Sequence, residues 1–373
     1  MFRLAASFAS VIFLATILPL LARAQDATQT APAPNSTPPD KPSDVPQPPP
    51  PPDKVHTENG PTNVDPLNMQ GPFAAMLTPH VGHTLARFDY RATWFPDSSV
   101  SGQPGRLGYV DESLSVSVPV WQDLIDEITA SISVRDESFH TGGLILPDSH
   151  IPFPDELWNI RIGAGYRHVF ENGWIAGGNV NFGSASDKPF HSLDEMFVGV
   201  NAFLRIPQGE HNAWLFTLNY SPTGELPFPI PGIAFIWCPS PAFQAHIGLP
   251  FALMYRPTED LSFEFSYMLL RTIHARANYR LGPTMRAYIG FDWSNESYFL
   301  AERTDNNDRF YYLDMRLTTG MQFLLPRHIL LDVSGGYVFE RSYFQAHSSN
   351  QSNFDRLDVN PGPLIGLRAG IRF

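Results

Sequence analysis

Residues 311–323 read YYLDMRLTTGMQF, and this stretch decides the fold. From Leu313 to Phe323 every second position is apolar or a threonine, whereas Asp314 and Arg316 occupy positions between them. Because successive side chains of a strand point to opposite faces, this alternation predicts a β-strand with one apolar and one polar face. Globular strands average about five to six residues, whereas a tilted transmembrane strand needs about 9–11. The length of the run is therefore typical of a strand that crosses a membrane.

The same alternation recurs along the chain from about His80 onward. Short turn signals rich in glycine, proline and asparagine separate the runs, and no run shows a helical period. The sequence therefore predicts an all-β fold. Alternating runs occupy residues 87–94, 158–166, 214–220, 261–267, 286–293, 329–340 and 367–373.

Alternation alone fits both a soluble secreted β-protein and an outer-membrane barrel, whose polarity is inverted. Three features favour the barrel: the long runs, the aromatic residues near predicted strand ends, and the end of the chain. There, apolar residues alternate up to a terminal phenylalanine, which resembles the C-terminal signal that the bacterial barrel-assembly machinery recognises. We therefore predict a transmembrane antiparallel up-and-down β-barrel. The residues of the predicted barrel-assembly signal are Leu367, Ala369, Ile371 and Phe373.

The spacing of the connections predicts about 14 strands, with about 12 or 16 as alternatives. A short connection at 325–327 alternates with long ones at 295–308 and 343–361, as expected for periplasmic turns and external loops. Between residues 172 and 281 we find seven candidate strands, whereas a barrel of this kind needs an even number. Either residues 230–237 are not a full strand, or one strand boundary is missed.

Composition excludes several classes of protein. Only 17% of the residues are charged, against about 25% in an average globular domain, while 13% are aromatic. The mean hydropathy of −0.16 is too low for a bundle of membrane helices, each of which needs about 20 apolar residues. The net charge of −12 gives no general attraction to nucleic acid. Because Cys238 is the only cysteine, an internal disulfide and a cysteine-rich zinc site are excluded.

The N-terminal region has the layout of a secretory signal peptide. A basic start, an apolar run at residues 4–21 and the small-x-small pattern at 22–24 predict a signal peptide over residues 1–24, with cleavage near Ala24. A membrane anchor is the alternative, and Pro19 speaks against it because it interrupts the run.

Residues 25–78 are rich in proline and lack apolar periodicity. Such a segment buries too little surface to offset its ordering entropy, so we predict a disordered periplasmic spacer of polyproline II character. A tether that contacts the cell wall or a periplasmic partner is the alternative interpretation. The barrel is predicted to occupy residues 79–373.

The region from about residue 80 to 373 resembles a family of bacterial outer-membrane β-barrels known only as a domain of unknown function. The similarity is carried by IGLPF at 247–251, YRP at 255–257 and the ending at 361–373. The family has no established activity, so the resemblance implies an outer-membrane placement but no chemistry and no site residues. A looser similarity to outer-membrane proteins suspected of taking up hydrophobic compounds is an analogy of fold.

Charged residues on the polar face of the strands are the candidate functional residues. If that face points inward, these side chains line the lumen, where both signs occur. One interpretation is a self-neutralising set of cross-strand ion pairs, and the other is a pore lining that filters solutes by charge. The lumen-lining candidates are Arg87, Asp89, Arg91, Glu264, Arg276, Arg280, Arg286, Asp292, Asp314, Arg316, Asp332, Glu340, Arg368 and Arg372.

Three further motifs bear on chemistry. His347 and Ser349 match the H-x-S-N string around the nucleophile of outer-membrane phospholipases, where a serine needs a base within hydrogen-bond reach. Residues 302–308 form an oxygen-rich loop, which fits either weak calcium binding or a solvated turn. His80 and His83 have a spacing compatible with a metal site but lack a third ligand. We expect no catalytic residue, no metal and no cofactor, and the chain is predicted not to be an enzyme.

The sequence as a whole predicts an integral outer-membrane barrel of a Gram-negative-type bacterium that acts as a passive channel or uptake protein for small solutes. A non-transporting barrel that binds surfaces through its external loops is the first alternative, and an outer-membrane lipid hydrolase is the second. The expected partners are outer-membrane lipid, the barrel-assembly machinery and a small solute, with no nucleic acid.

Overall fold

The computed structural model describes residues 84–221, 223, 228–268, 272–303, 305–347 and 354–372. The predicted signal peptide and spacer lie outside the described residues. The regular structure is β, with two single 3-10 turns at Leu193–Glu195 and Pro326–His328. No helix among the described residues is long and apolar enough to cross a membrane.

The strands follow one another along the whole described chain. They are β1 Arg87–Ser99, β2 Arg106–Gln122, β3 Asp126–His140, β4 Glu156–Val169, β5 Ile175–Ser186, β6 Met196–Gln208, β7 Asn212–Tyr220, β8 Ile230–Ser240, β9 Phe243–Gly248, β10 Phe251–Tyr255, β11 Leu261–Met268, β12 Thr272–Gly282, β13 Met285–Tyr298, β14 Arg309–Leu325, β15 Ile329–Ala346, β16 Phe354–Asp358 and β17 Gly362–Arg372.

The strands form a closed antiparallel barrel. Each strand from β1 to β15 pairs with the next, and the ring closes where β17 pairs with both β15 and β1. Arg87 lies opposite Arg372 and Trp94 opposite Ile365 across that closure. β16 pairs only with the second half of β15, so it is an extra strand beside a ring of 16. The all-β antiparallel barrel is therefore confirmed, and the ring has 16 strands, which is the higher of the two alternatives to the preferred count of 14.

The strands beyond the predicted 14 lie between residues 172 and 281, where the alternation predicts an odd number of strands. Residues 230–240 do form a strand, β8, and the missed boundary lies between residues 243 and 255. There β9 has 6 residues and β10 has 5. Runs this short do not display a period of two clearly, which explains why the alternation missed them.

The barrel is apolar outside and polar inside. In β14, Leu317 and Met321 are 47% and 37% exposed, whereas Asp314 and Gln322 are 0% and 1% exposed. A water-soluble barrel has the opposite arrangement, because burial of apolar surface drives its folding. An outward apolar face is the arrangement of a barrel that is surrounded by lipid. This polarity decides between the two kinds of β-protein that alternation alone left open.

The two ends of the barrel differ in their connections. β1 begins and β17 ends at one end, which we call the turn end because its connections are short, such as 209–211 and 283–284. The opposite end, the loop end, carries the long connections 141–155, 187–195 and 299–308. The wall is tall at β2, β14 and β15, which have 17, 17 and 18 residues, and low at β9 and β10.

Candidate functional site in the barrel lumen

The strand register shows which of the predicted charged residues face the lumen. Arg91 lies opposite Arg368, and Asp292 lies opposite Arg316. Each of these residues alternates with an outward apolar neighbour, as Arg316 does with Leu317. The candidates on the inward face are Arg87, Asp89, Arg91, Glu264, Arg276, Arg280, Arg286, Asp292, Asp314, Arg316, Asp332, Arg368 and Arg372.

Glu340 is the candidate that lies off the inward face. A bulge in the pairing of β14 with β15 places Glu340 opposite Met315, on the same face as the exposed Leu317. Arg341 takes the inward position instead and is 2% exposed. One extra residue in a strand reverses the faces of all positions that follow, so alternation counted through a bulge assigns the wrong face.

A second set of inward charges, on β2, β3 and β13, was missed by the sequence analysis. Arg135 Nε lies 2.8 Å from Asp111 Oδ1, and Arg135 Nη2 lies 2.8 Å from Glu137 Oε1. Arg135 also pairs with Glu296. Glu137 is fully buried and accepts a hydrogen bond of 3.1 Å from Tyr298 Oη. The three carboxylates around one guanidinium form a compact charge network inside the barrel.

Beside these charges, neutral polar side chains also line the lumen wall from β2 to β6. Asn179 Oδ1 accepts hydrogen bonds of 2.9 Å from both Asn181 and Asn201. The sequence signal for this wall is the alternation of residues 128–134, ITASISV. The signal is weak because its polar positions hold only small hydroxyl residues. The inward serines of β2 and β3 are Ser113, Ser115, Ser117, Ser131 and Ser133.

A cavity of about 300 Å³ lies in the lumen beside β1, β12–β15 and β17. Its two carboxylates are engaged by neighbouring side chains. His274 Nδ1 lies 2.6 Å from Asp292 Oδ1. Asp332 accepts hydrogen bonds from Tyr288 Oη at 2.9 Å and from Gln322 Nε2 at 2.8 Å. We call this space the arginine cavity, because the cations that line it are Arg91, Arg276, Arg316 and Arg368.

A second cavity of about 360 Å³ is lined by Arg135 and Arg161 and shares Thr272 with the arginine cavity. Ser297 Oγ donates a hydrogen bond of 2.7 Å to the carbonyl oxygen of Thr223, between β7 and β8. This contact joins β13 to a connection from another part of the ring. The lumen therefore holds two neighbouring spaces with ionised and hydroxyl linings.

An apolar cluster fills much of the loop end of the lumen. The connection 141–155, which we call the inserted loop, packs Leu146 and Phe153 among residues of the wall. The ring of Phe153 lies 5.3 Å from that of Phe139 and 5.2 Å from that of Tyr343. This long connection is thus largely a part of the interior.

Asp355 fastens the inserted loop to the end of β15. Its Oδ1 accepts hydrogen bonds from the backbone N–H groups of Asp148 and Ser149 at 2.8 and 2.7 Å. Its Oδ2 accepts one from Gln345 at 2.7 Å. The backbone N–H of Asp355 in turn donates to Asp148 Oδ2 at 2.6 Å. One buried carboxylate thus links the inserted loop to β15 at the loop end.

The other chemical motifs are only partly within the described chain. His347 Nδ1 lies 2.5 Å from Asp308 Oδ1, and His347 Nε2 lies 3.8 Å from Asp305 Oδ2. Across the described ranges, no group of three or more His, Cys, Asp or Glu side chains is arranged to hold a metal ion. The candidates outside the described residues are His80, His83, Ser349 and Phe373.

A closed barrel with an apolar outer face and a charged lumen defines an integral membrane β-barrel. No family model and no curated protein matches the chain. The resemblance to a barrel family of unknown function therefore stays a prediction.

The chain is similar to several solved structures, each at low identity. The COG4313 outer membrane channel from Pseudomonas putida F1 is 10% identical, with 79% of this chain and 97% of that chain covered and a TM-score of 0.35. A Pseudomonas aeruginosa FadL homologue is 12% identical, with 78% and 90% covered and a TM-score of 0.35. The Pseudomonas putida toluene transporter TodX is 10% identical, with 81% and 93% covered and a TM-score of 0.32. Identities and TM-scores this low assign no family and no function, and the fold stands on the strand pairing described above.

Proposed function

We propose that the chain is an outer-membrane β-barrel of a Gram-negative-type bacterium and works as a passive channel or uptake protein for small solutes. The observation that carries the proposal is the lumen, where two cavities of about 300 and 360 Å³ have ionised linings. Barrels of this size hold either water and solutes or a plug of side chains. This lumen has features of each kind, because two cavities have polar linings and the inserted loop fills much of the loop end.

Planar-bilayer recording of the refolded mature barrel tests the channel. Discrete conductance steps are the expected result, because the polar lumen offers a hydrated path once the inserted loop gives way. A shift of gel mobility on heating controls for folding, since folded and unfolded barrels migrate differently. Folded protein that inserts into the bilayer without any conductance step would refute transport.

The proposed outer-membrane location implies partners for export and assembly, and it can be tested separately from transport. The signal peptide 1–24 would direct export, the spacer 25–78 would lie in the periplasm, and the turn end would face it. The assembly machinery would read the row of alternating residues Leu367, Ala369, Ile371 and Phe373. Deletion of Phe373 is expected to reduce the heat-modifiable protein in the outer-membrane fraction, and unchanged yield and location would contradict the role of this row.

A second candidate function, lipid hydrolysis, has one supporting observation, the short contact between His347 and Asp308. Such an acid can orient a histidine, and His347 would activate Ser349, which follows it by two positions in the sequence. Loss of phospholipid hydrolysis in Ser349→Ala would support it, whereas no hydrolysis by the folded wild-type protein would remove it. The surface-binding alternative has less support, because the long inserted loop packs its apolar side chains inward.

A further inference from the structure

The arginine cavity contains a cation that the protein itself leaves open. Arg368 pairs with Asp89 at 2.7 Å, and Arg316 lies 3.6 Å from Asp314. Arg91 is exposed to the lumen, and its guanidinium makes no hydrogen bond or ion pair with any residue that the structure describes. The cavity carboxylates Asp292 and Asp332 already have donors, as described above, so Arg91 offers the free binding capacity.

Like charges face each other repeatedly on the inner wall. Arg91 lies directly opposite Arg368, and Arg87 lies directly opposite Arg372. Arg280 and Arg286 form a third such pair. Like charges in directly opposed positions destabilise a sheet, so these pairs add nothing to the fold by facing each other. They do concentrate positive side chains on this part of the lumen wall, in a chain whose net charge is −12.

The opposed arginines are arranged in two columns that lead to the arginine cavity. Each column begins near the turn end, one with the pair of Arg87 and Arg372 and the other with the pair of Arg280 and Arg286. The next inward arginine on the same strand stands four residues further on, which is about 13 Å at the rise of a strand. These next residues are Arg91, Arg368 and Arg276.

The type of cation indicates the chemistry of the ligand. All four lining cations are arginines, and a guanidinium presents a planar fork that matches a carboxylate in a bidentate manner. Hydroxyl groups of Thr93, Thr318 and Ser334 line the same space and can donate to a second oxygen of the ligand. The volume of about 300 Å³ lies at the small end of ligand sites, so the ligand is small.

We propose that the arginine cavity is a binding site for a small organic carboxylate, held between Arg91 and Arg368 and reached along the two arginine columns. The proposal rests on the proposed function only for the route by which the ligand enters and leaves. Binding itself requires the cavity and its cations, whether or not the barrel conducts.

Binding of benzoate to the folded barrel in detergent, followed by isothermal titration calorimetry, tests the site directly. The wild-type protein is expected to bind benzoate, and Arg91→Gln and Arg368→Gln are each expected to weaken binding about tenfold or more, since a hydrogen-bonded charge is lost. Arg91→Lys keeps the charge but lacks the planar fork of the guanidinium. Its affinity for benzoate should lie between those of the wild type and Arg91→Gln. Arg327→Gln, in an exposed turn outside the lumen, removes the same charge and should bind like the wild type.

Bilayer recordings provide the second measurement. In a potassium chloride gradient the reversal potential should show a preference for chloride, which Arg91→Gln lowers and Arg327→Gln leaves unchanged. Benzoate in the bath should reduce the wild-type current and have a weaker effect on Arg91→Gln. Only variants whose gel mobility shifts on heating, and which are therefore folded, are recorded. If Arg91→Gln fails to fold, Arg368→Gln is used in its place.

The outcomes separate the two proposals. Conductance without benzoate binding by the folded wild type would overturn the carboxylate site and leave the channel standing. Benzoate binding that depends on Arg91 and Arg368 without any conductance would support the site and refute the channel. Equal benzoate binding by the wild type, Arg91→Gln and Arg368→Gln would also overturn the site.

Discussion

Gly248, the second residue of the IGLPF stretch, stands where β9 meets β8 too closely for a side chain. Its φ is 142°, a conformation that favours glycine. A Cβ atom built there would lie 2.1 Å from the carbonyl oxygen of Ile233 and 2.7 Å from the Cα of Ala234. The glycine thus permits the pairing of β8 with β9 at the low part of the wall.

Gly248→Ala is expected to weaken this pairing, because an inserted methyl group typically costs about 1–3 kcal/mol in a packed structure. The measurement is the fraction of heat-modifiable barrel after refolding across a urea series. Gly282→Ala is the matched control, since a Cβ atom there would meet nothing within 4 Å. Equal refolding of both variants would show that β9 can shift at little cost.

Residue positions were predictable wherever the strands alternate without interruption. Arg91, Asp292 and Arg368 could be assigned to one face from the sequence, and the register places them inward. Arg341 could not, because the bulge that precedes it leaves no mark in the alternation. The cluster around Arg135 lacked a strong signal, since its strand alternates small and β-branched residues rather than charged and aromatic ones.

At the level of elements, a charge placed on the outward face of β14 tests what surrounds the barrel. Its outward residue Leu317 is half exposed, yet its surroundings are proposed to be lipid rather than water. Leu317→Lys is therefore expected to destabilise the barrel by about 2–4 kcal/mol near the bilayer midplane. In a water-soluble barrel the same change on an exposed site would be close to neutral.

Equilibrium unfolding in urea from lipid vesicles measures the effect of Leu317→Lys. Ser115→Lys adds the same charge on the inward face, where Asp89 lies directly opposite, and should cost much less. If both lysines cost the same, the outward face would not be surrounded by lipid.

Elements were predictable in proportion to their length. Strands such as β14, with 17 residues, can be recognised in the sequence because apolar and polar residues alternate over many positions. β9 and β10 cannot, because a run of five or six residues fits several local structures. The inserted loop also could not be anticipated, since its burial depends on partners such as Tyr343 in β15 and Asp355 in β16, which are distant in sequence.

At the scale of the whole molecule, Asp355 allows a test of how the loop end affects the proposed channel. Hydrogen bonds to a charged acceptor contribute about 1.5–3 kcal/mol each, and Asp355 accepts three. Asp355→Gly removes the carboxylate while tolerating the φ of 56° at this position. We expect it to free the inserted loop, to raise protease cleavage within 141–155 and to increase conductance.

Asp358→Gly is the matched control for Asp355→Gly. Asp358 lies on the same strand, β16, but pairs with the exposed Arg356 instead of the inserted loop. Its substitution should leave protection of the inserted loop unchanged. Full protection of the loop in Asp355→Gly, with wild-type conductance, would show that apolar packing alone keeps the loop end closed.

The closure of β17 onto β1 also sets the order in which the chain can fold. The ion pair between Arg368 and Asp89 joins residues 279 positions apart, and bringing such distant segments together is slow. Until β17, with its 11 residues, has been synthesised, both β1 and β15 present open edges that can recruit other chains. A partly formed ring would therefore expose those edges until β17 is in place. The closing strand thus controls when the rest of the ring can become stable.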